Sequence, residues 1–170
     1  MAVTCAARAS RTAADASCWT CANTGPSMFS PSREDARRFF FDVWRKEQEK
    51  TLMTPLESVA WQIISHHPEY HSLLAQPERF LEREWFPEQG ETNPFLHLGL
   101  HLAVEEQLSI DQPPGIRAAY DRLCLELKDE HAARHRLLEA LAEVVWESQR
   151  HATPLDGKRY LQLIGADPAP

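Results

Sequence analysis

From Ser30 onward the apolar residues of this chain recur at helical spacing, and prolines separate one run from the next. Phe39, Phe40, Val43 and Trp44 form one face of a helix that Ser32 can cap and that reaches about Glu49. Thr54-Pro55-Leu56-Glu57 offers a capping hydroxyl, a proline at the first helical position and a glutamate at the third. That pattern predicts a second helix through Val59, Ala60, Trp61, Ile63 and Ile64, stopped by Pro68. Short helical turns follow over 68–75 and 77–84, then a loop at 86–93. Asn93-Pro94 opens a helix over 94–109, and the break Asp111-Gln112-Pro113-Pro114-Gly115 leads into another over 116–127. Asp129 can cap a long helix over 130–149, and Asp156 a short final one. No stretch alternates with period two, and β-branched residues are scarce. The expected class is all-α, a compact helical bundle of about five to seven helices.

The segment 94–109 is unlike its neighbours. Phe95, Leu96, Leu98, Leu100, Leu102, Ala103, Val104 and Leu108 point in nearly all directions, and a helix apolar all round is normally buried. His97, His101 and Glu105 sit four residues apart within it, drifting by only about 40° per step, so they make one polar stripe. A buried imidazole or carboxylate without a partner costs roughly 2–7 kcal/mol. Such a stripe must therefore be paired, neutralised or metal-bound.

The other histidines extend this picture. All eight lie beyond residue 65, and six form pairs four apart: His67 with His71, His97 with His101, His131 with His135. On the last long helix, Leu137, Leu138, Leu141, Val144 and Val145 mark the buried direction. His131 lies about 80° from it and His135 about 120°, within reach of a bundle interior, whereas Glu139 and Glu143, at about 160°, belong to a solvated flank. Neutral imidazole and carboxylate are common ligands for zinc, iron and manganese, and bundles build such sites from facing helices. The candidate metal ligands are accordingly His71, His97, His101, Glu105, His131 and His135. His101 and Glu105 have the HxxxE spacing of helical non-haem metal proteins such as hemerythrins. Two familiar sites are excluded. A zinc-protease HExxH fails because Ala132 follows His131, and no histidine has the glutamate three residues before it that a ferritin-type site needs.

Charge and composition narrow the function classes. The net charge is −7, and clustered basic residues are lacking, which argues against nucleic acid and anionic membrane surfaces as partners. No apolar run is long enough to span a membrane, so a cytoplasmic protein is expected. No P-loop, dinucleotide fingerprint or zinc-ribbon cysteine pair occurs. Residues 1–27 are rich in Ala, Ser and Thr and hold Cys5, Cys18 and Cys21. Without apolar periodicity they read as a disordered extension, with Cys18 and Cys21 an incidental CxxC and Met28 the expected native start. Residues 28–165 then form a single helical domain, and 166–170 a disordered tail. Cys124 is expected to pack as a small apolar residue.

Several motifs are more specific than these patterns. MFSPSREDARRFFFDVW from Met28, TPLE, HPEYH and above all NPFLHLGLHLAVEEQLSIDQPPGIR resemble the bacterial proteins grouped as domain of unknown function 1841, over about residues 28–150. The resemblance implies a small bacterial protein and supports Met28 as the start of the family region. It implies no activity, and it carries no residue roles.

Two readings of the polar residues follow. One is a buried His/Glu metal site, with zinc, iron or manganese as the ion. The other is a non-catalytic interaction or adaptor protein whose histidines and glutamates form a structural hydrogen-bond network, with the SIDQPPGI turn as a rigid docking surface for a protein partner. The simpler role for that turn is to join two helices. A histidine-based pH sensor lacks any evident bistable element.

Overall fold

The local signals at the start of the domain act as their chemistry dictates. In the computed structural model, which describes residues 32–86 and 90–165, α1 spans Arg33–Glu49. Ser32 Oγ accepts from the Asp35 amide at 3.1 Å while the Asp35 carboxylate accepts from the Ser32 amide at 2.9 Å, a reciprocal capping box. Thr54 and Glu57 repeat the device at the head of α2 (Pro55–Ser65), and Lys46 Nζ donates to the same Glu57 carboxylate at 2.7 Å, tying α1 to α2. The expectations for residues 1–27 and Met28, with the Cys18–Cys21 pair, and for 166–170 fall outside the described residues.

Pro68 ends α2. Its ring excludes helical backbone at the preceding residue, and His67 adopts φ −122° and ψ 64° before a single 3-10 turn at Pro68–Tyr70. Two four-residue helices follow, α3 (His71–Leu74) and α4 (Pro77–Phe80). The second is shorter than the 77–84 expected: Arg37 from α1 reaches across and donates to the Leu81 carbonyl at 2.5 Å, and the chain leaves the helix there. Asn93 caps α5 (Pro94–Ile110), which ends at Asp111 in the left-handed region, φ 52°. Asp111 Oδ1 then accepts from the amides of Gly115 and Arg117, so the proline turn holds the start of α6 (Ile116–Leu127). The turn thus has an internal structural job. The chain finishes with α7 (Glu130–His151), capped by Asp129, and α8 (Gly157–Leu163), capped by Asp156.

The fold is all-α. Among the described residues six helices have seven residues or more, and no strand occurs. No helix there is long and apolar enough to cross a membrane. The apolar residues divide into two clusters. Phe40, Val43, Ile64, Leu74, Phe95 and Leu98 belong to the first, built by α1 to α4 and the start of α5. Val104, Ile116, Leu123, Leu137, Leu141 and Tyr160 belong to the second, built by the end of α5 with α6, α7 and α8. Cys124 packs against that second cluster. α5 is therefore a shared spine, packed against α2 on one side and α7 on another. Only Leu96, Glu106, Ser109 and Ile110 of its residues are exposed, as its all-round apolarity requires.

Candidate metal centre

His97 and His101 lie on α5 between Phe95 of the first cluster and Val104 of the second, where one core gives way to the other. The end of α2 and the first turns of α7 converge on the same seam. His67 arrives from the break that Pro68 makes, and it is as buried as His101, both at 2% exposure. His131 and His135 arrive from α7, one turn apart, with ring centroids 4.4 Å from each other. His67, His97, His101 and His135 each bring a ring nitrogen to within 4.8 Å of the other three.

Their hydrogen bonding is uneven. His67 Nδ1 stands 2.9 Å from the Glu69 carboxylate, so that nitrogen carries the proton and Nε2 presents its lone pair. Nε2 of His67 is 3.0 Å from Nε2 of His101. By contrast, Nε2 of His97 and Nε2 of His135 are buried with no hydrogen-bond partner. Two orphaned imidazole nitrogens in one interior are costly unless a ligand satisfies them.

Geometry fits one small cation. Nitrogens bound at about 2.0–2.1 Å to a tetrahedral ion stand about 3.3–3.4 Å apart, and can never exceed about 4.2 Å. The quartet starts at 3.0 Å between His67 and His101 and reaches at most 4.8 Å. Seating a tetrahedral ion thus requires the widest pair to close by up to about 1.4 Å and the His67–His101 pair to open by about 0.3 Å, movements that ring rotations supply.

Electrostatics points the same way. Burial, then the neighbouring imidazoles, pushes the His97 ring from 6.5 down to about 4 and the His101 ring down to about 2. Burial and its histidine neighbours lower His131 and His135 as well. These rings are neutral near pH 7, the state in which imidazole offers a lone pair. Burial, the largest single influence, raises the Glu69 carboxyl, but the hydrogen bond from His67, a backbone hydrogen bond and the nearby imidazoles together hold the group below its ordinary value. A charged carboxylate behind a ligating histidine fixes its tautomer and strengthens it as a donor.

The structure distributes the six residues singled out by sequence into different places. His97, His101 and His135 meet, and His131 adjoins them, its ring 5.0 Å from that of His67. His71 stands apart. Its Nε2 donates to the Ile64 carbonyl at 2.9 Å and its ring packs 4.8 Å from Trp44. Glu105 also turns away from the quartet, accepting from Arg134 Nε at 2.5 Å. Glu139 and Glu143 lie on the exposed flank, paired with Arg136 and Arg159. Spacing arguments leave His67 out of the candidate set, although Pro68 and Glu69 beside it signal a fixed imidazole backed by a carboxylate.

The family described as "Domain of unknown function (DUF1841)" matches residues 32–166. The chain belongs to this family. The matched span takes in every histidine of the DUF1841 seam, from His66 to His135, together with Glu69. Neither curated proteins nor solved structures yield a match.

Proposed function

We propose that this DUF1841 protein binds one divalent first-row transition ion at the seam between its two cores, through His67, His97, His101 and His135. Glu69 orients His67 from behind, and His131 is the nearest further imidazole. The observation that carries the reading is the pair of orphaned nitrogens, His97 Nε2 and His135 Nε2, within a quartet of ring nitrogens spanning at most 4.8 Å. An all-imidazole donor set suits zinc or iron better than manganese, which prefers oxygen. The proposal places the protein in a bacterial cytoplasm.

The test is the metal content of untagged full-length protein, purified without chelator and measured by mass spectrometry of the elements. One equivalent of zinc or iron is expected, lost in His101→Ala. Protein that refolds with no ion, and takes up none on addition of zinc or iron(II), would refute the reading.

A specific pair of contacts favours a second reading. The chain Glu69–His67–His101, with links of 2.9 and 3.0 Å, has the lengths of hydrogen bonds and could serve a non-catalytic interaction protein as a packing network. That network, however, satisfies neither His97 Nε2 nor His135 Nε2. Under it, His97→Phe and His135→Phe would raise stability, since each removes an unpaired polar group; under metal binding both lose the ion.

A further inference from the structure

We infer that His66 and His131 form an outer station for the divalent ion, a two-imidazole site through which it passes between solvent and the buried quartet. The inference rests on the metal-binding reading above.

A cavity of about 150 Å³ lies against the quartet along its His67–His101 edge. Its wall runs from those two buried rings, past the half-buried His131, to the exposed His66, Gln62 and Glu130, so it joins the seam to solvent. His97 and His135 take no part in the wall. Rings within the quartet stand 4.7–5.5 Å apart, centroid to centroid. His131 keeps the same spacing from His67, at 5.0 Å, and His66 stands 5.6 Å from His131. Three rings therefore lead outward, His67 to His131 to His66, at about the separations of rings that can share one ion. His66 Nδ1 donates to the Gln62 carbonyl at 2.7 Å, which leaves its lone pair on Nε2.

A tetrahedral shell of four imidazoles is complete, so an ion enters or leaves it only by trading ligands. On the way out, His97 and His135, which lie off the cavity, give place to His131 and water. His67 and His101 then give place to His66 and water. Each trade breaks one metal–nitrogen bond as another metal–ligand bond forms, the ion stays divalent, and no electron or proton moves. Two imidazoles hold an ion more weakly than four, as a point of passage requires. Charge suits a cation: Glu105 and Glu130 outnumber Arg134 along the wall, and Glu69 stands behind His67. At about 30 Å³ per water the cavity holds about five waters, room for a partly hydrated ion.

The experiment follows ion exchange in the full untagged chain loaded with zinc. An excess of a stable zinc isotope is added, and its incorporation is timed by mass spectrometry of the elements. Competition with a chelator gives the affinity. A group that touches the ion only in passage changes entry and release together and leaves affinity alone. His66→Ala and His131→Ala should each exchange about tenfold more slowly, about 1.4 kcal/mol on the barrier, at unchanged affinity. His151→Ala, which removes an exposed ring at the opposite end of α7, should exchange as the wild type does. Gln62→Trp narrows the cavity from an exposed lining position and makes the same test should His131→Ala fail to fold. Exchange as fast as in the wild type, or faster, in either histidine variant would overturn the station and leave metal binding standing. Affinity lost in His131→Ala would make it a resident ligand and overturn its role in passage. No zinc uptake in the wild type would defeat both readings.

Discussion

The Nε2 atoms of His67 and His101 face each other at 3.0 Å across 34 residues of chain, one at the break after α2 and the other in mid-α5. Neither imidazole is exposed, and only His67 has a carboxylate behind it. This pair fixes the geometry of the seam and sets the first two predictions.

His67→Ala is expected to abolish uptake of zinc or iron, while His71→Ala leaves it intact. His71 bonds to the Ile64 carbonyl and packs near Trp44, so its loss should lower stability by about 1–2 kcal/mol. Metal stoichiometry and urea unfolding of the two variants, side by side, check both halves.

Glu69→Gln retains the ion but holds it more weakly, by about 10–100-fold, because the carboxylate acts through His67 and not on the metal. Competition with a chromophoric chelator measures the difference. Equal affinity in the variant would remove Glu69 from the site.

Glu105→Ala separates the salt bridge from the metal site. Its carboxylate and the Arg134 guanidinium are both about three-quarters withdrawn from water, at 27% and 28% exposure. Losing the pair should cost about 1–2 kcal/mol, softened by solvent and by the remaining Glu130 contact. One equivalent of ion should remain. An ion lost with Glu105 would restore it as a ligand.

In the metal-free protein, stability should be flat above pH 6.5 and fall as the pH drops from there towards 4. The folded state holds His97 at about 4 against an ordinary 6.5, and His101 lower still, with burial the first cause. Below 6.5 the unfolded chain takes up protons that the folded chain refuses, so acidification favours unfolding. Urea midpoints with chelator present, followed across that window, provide the measurement. A midpoint that rises on acidification would contradict the buried neutral histidines.

Much of this was legible from spacing and caps. The boxes Ser32–Asp35 and Thr54–Glu57, the buried character of 94–109 and the outward turn of Glu139 and Glu143 follow from local chemistry and helical angles. Four-residue spacing singled out His97, His101 and His135, whose ring nitrogens lie within 4.8 Å of one another. Spacing says less where helical geometry stops or its drift accumulates. Two steps of about 40° carry Glu105 about 80° around α5 from His97, enough to present it to Arg134. His67 and His71 share the same rhythm, but Pro68 interrupts the helix between them, and spacing cannot say which ring turns inward. Only the tertiary position of α5 against α2 decides that.

The spine position of α5 has a consequence for the order in which the protein can be made. Domains begin to fold from the N-terminal side during synthesis. Once α5 has emerged, α1 to α4 can close on its first half, which already gathers His67, His97 and His101. His135 follows only with α7, after the proline turn and α6 have been built. The nascent chain thus carries three of the four clustered histidines until its second core assembles, and the fourth arrives together with that core. Under the proposed metal binding, capture of the ion and completion of the fold become one event.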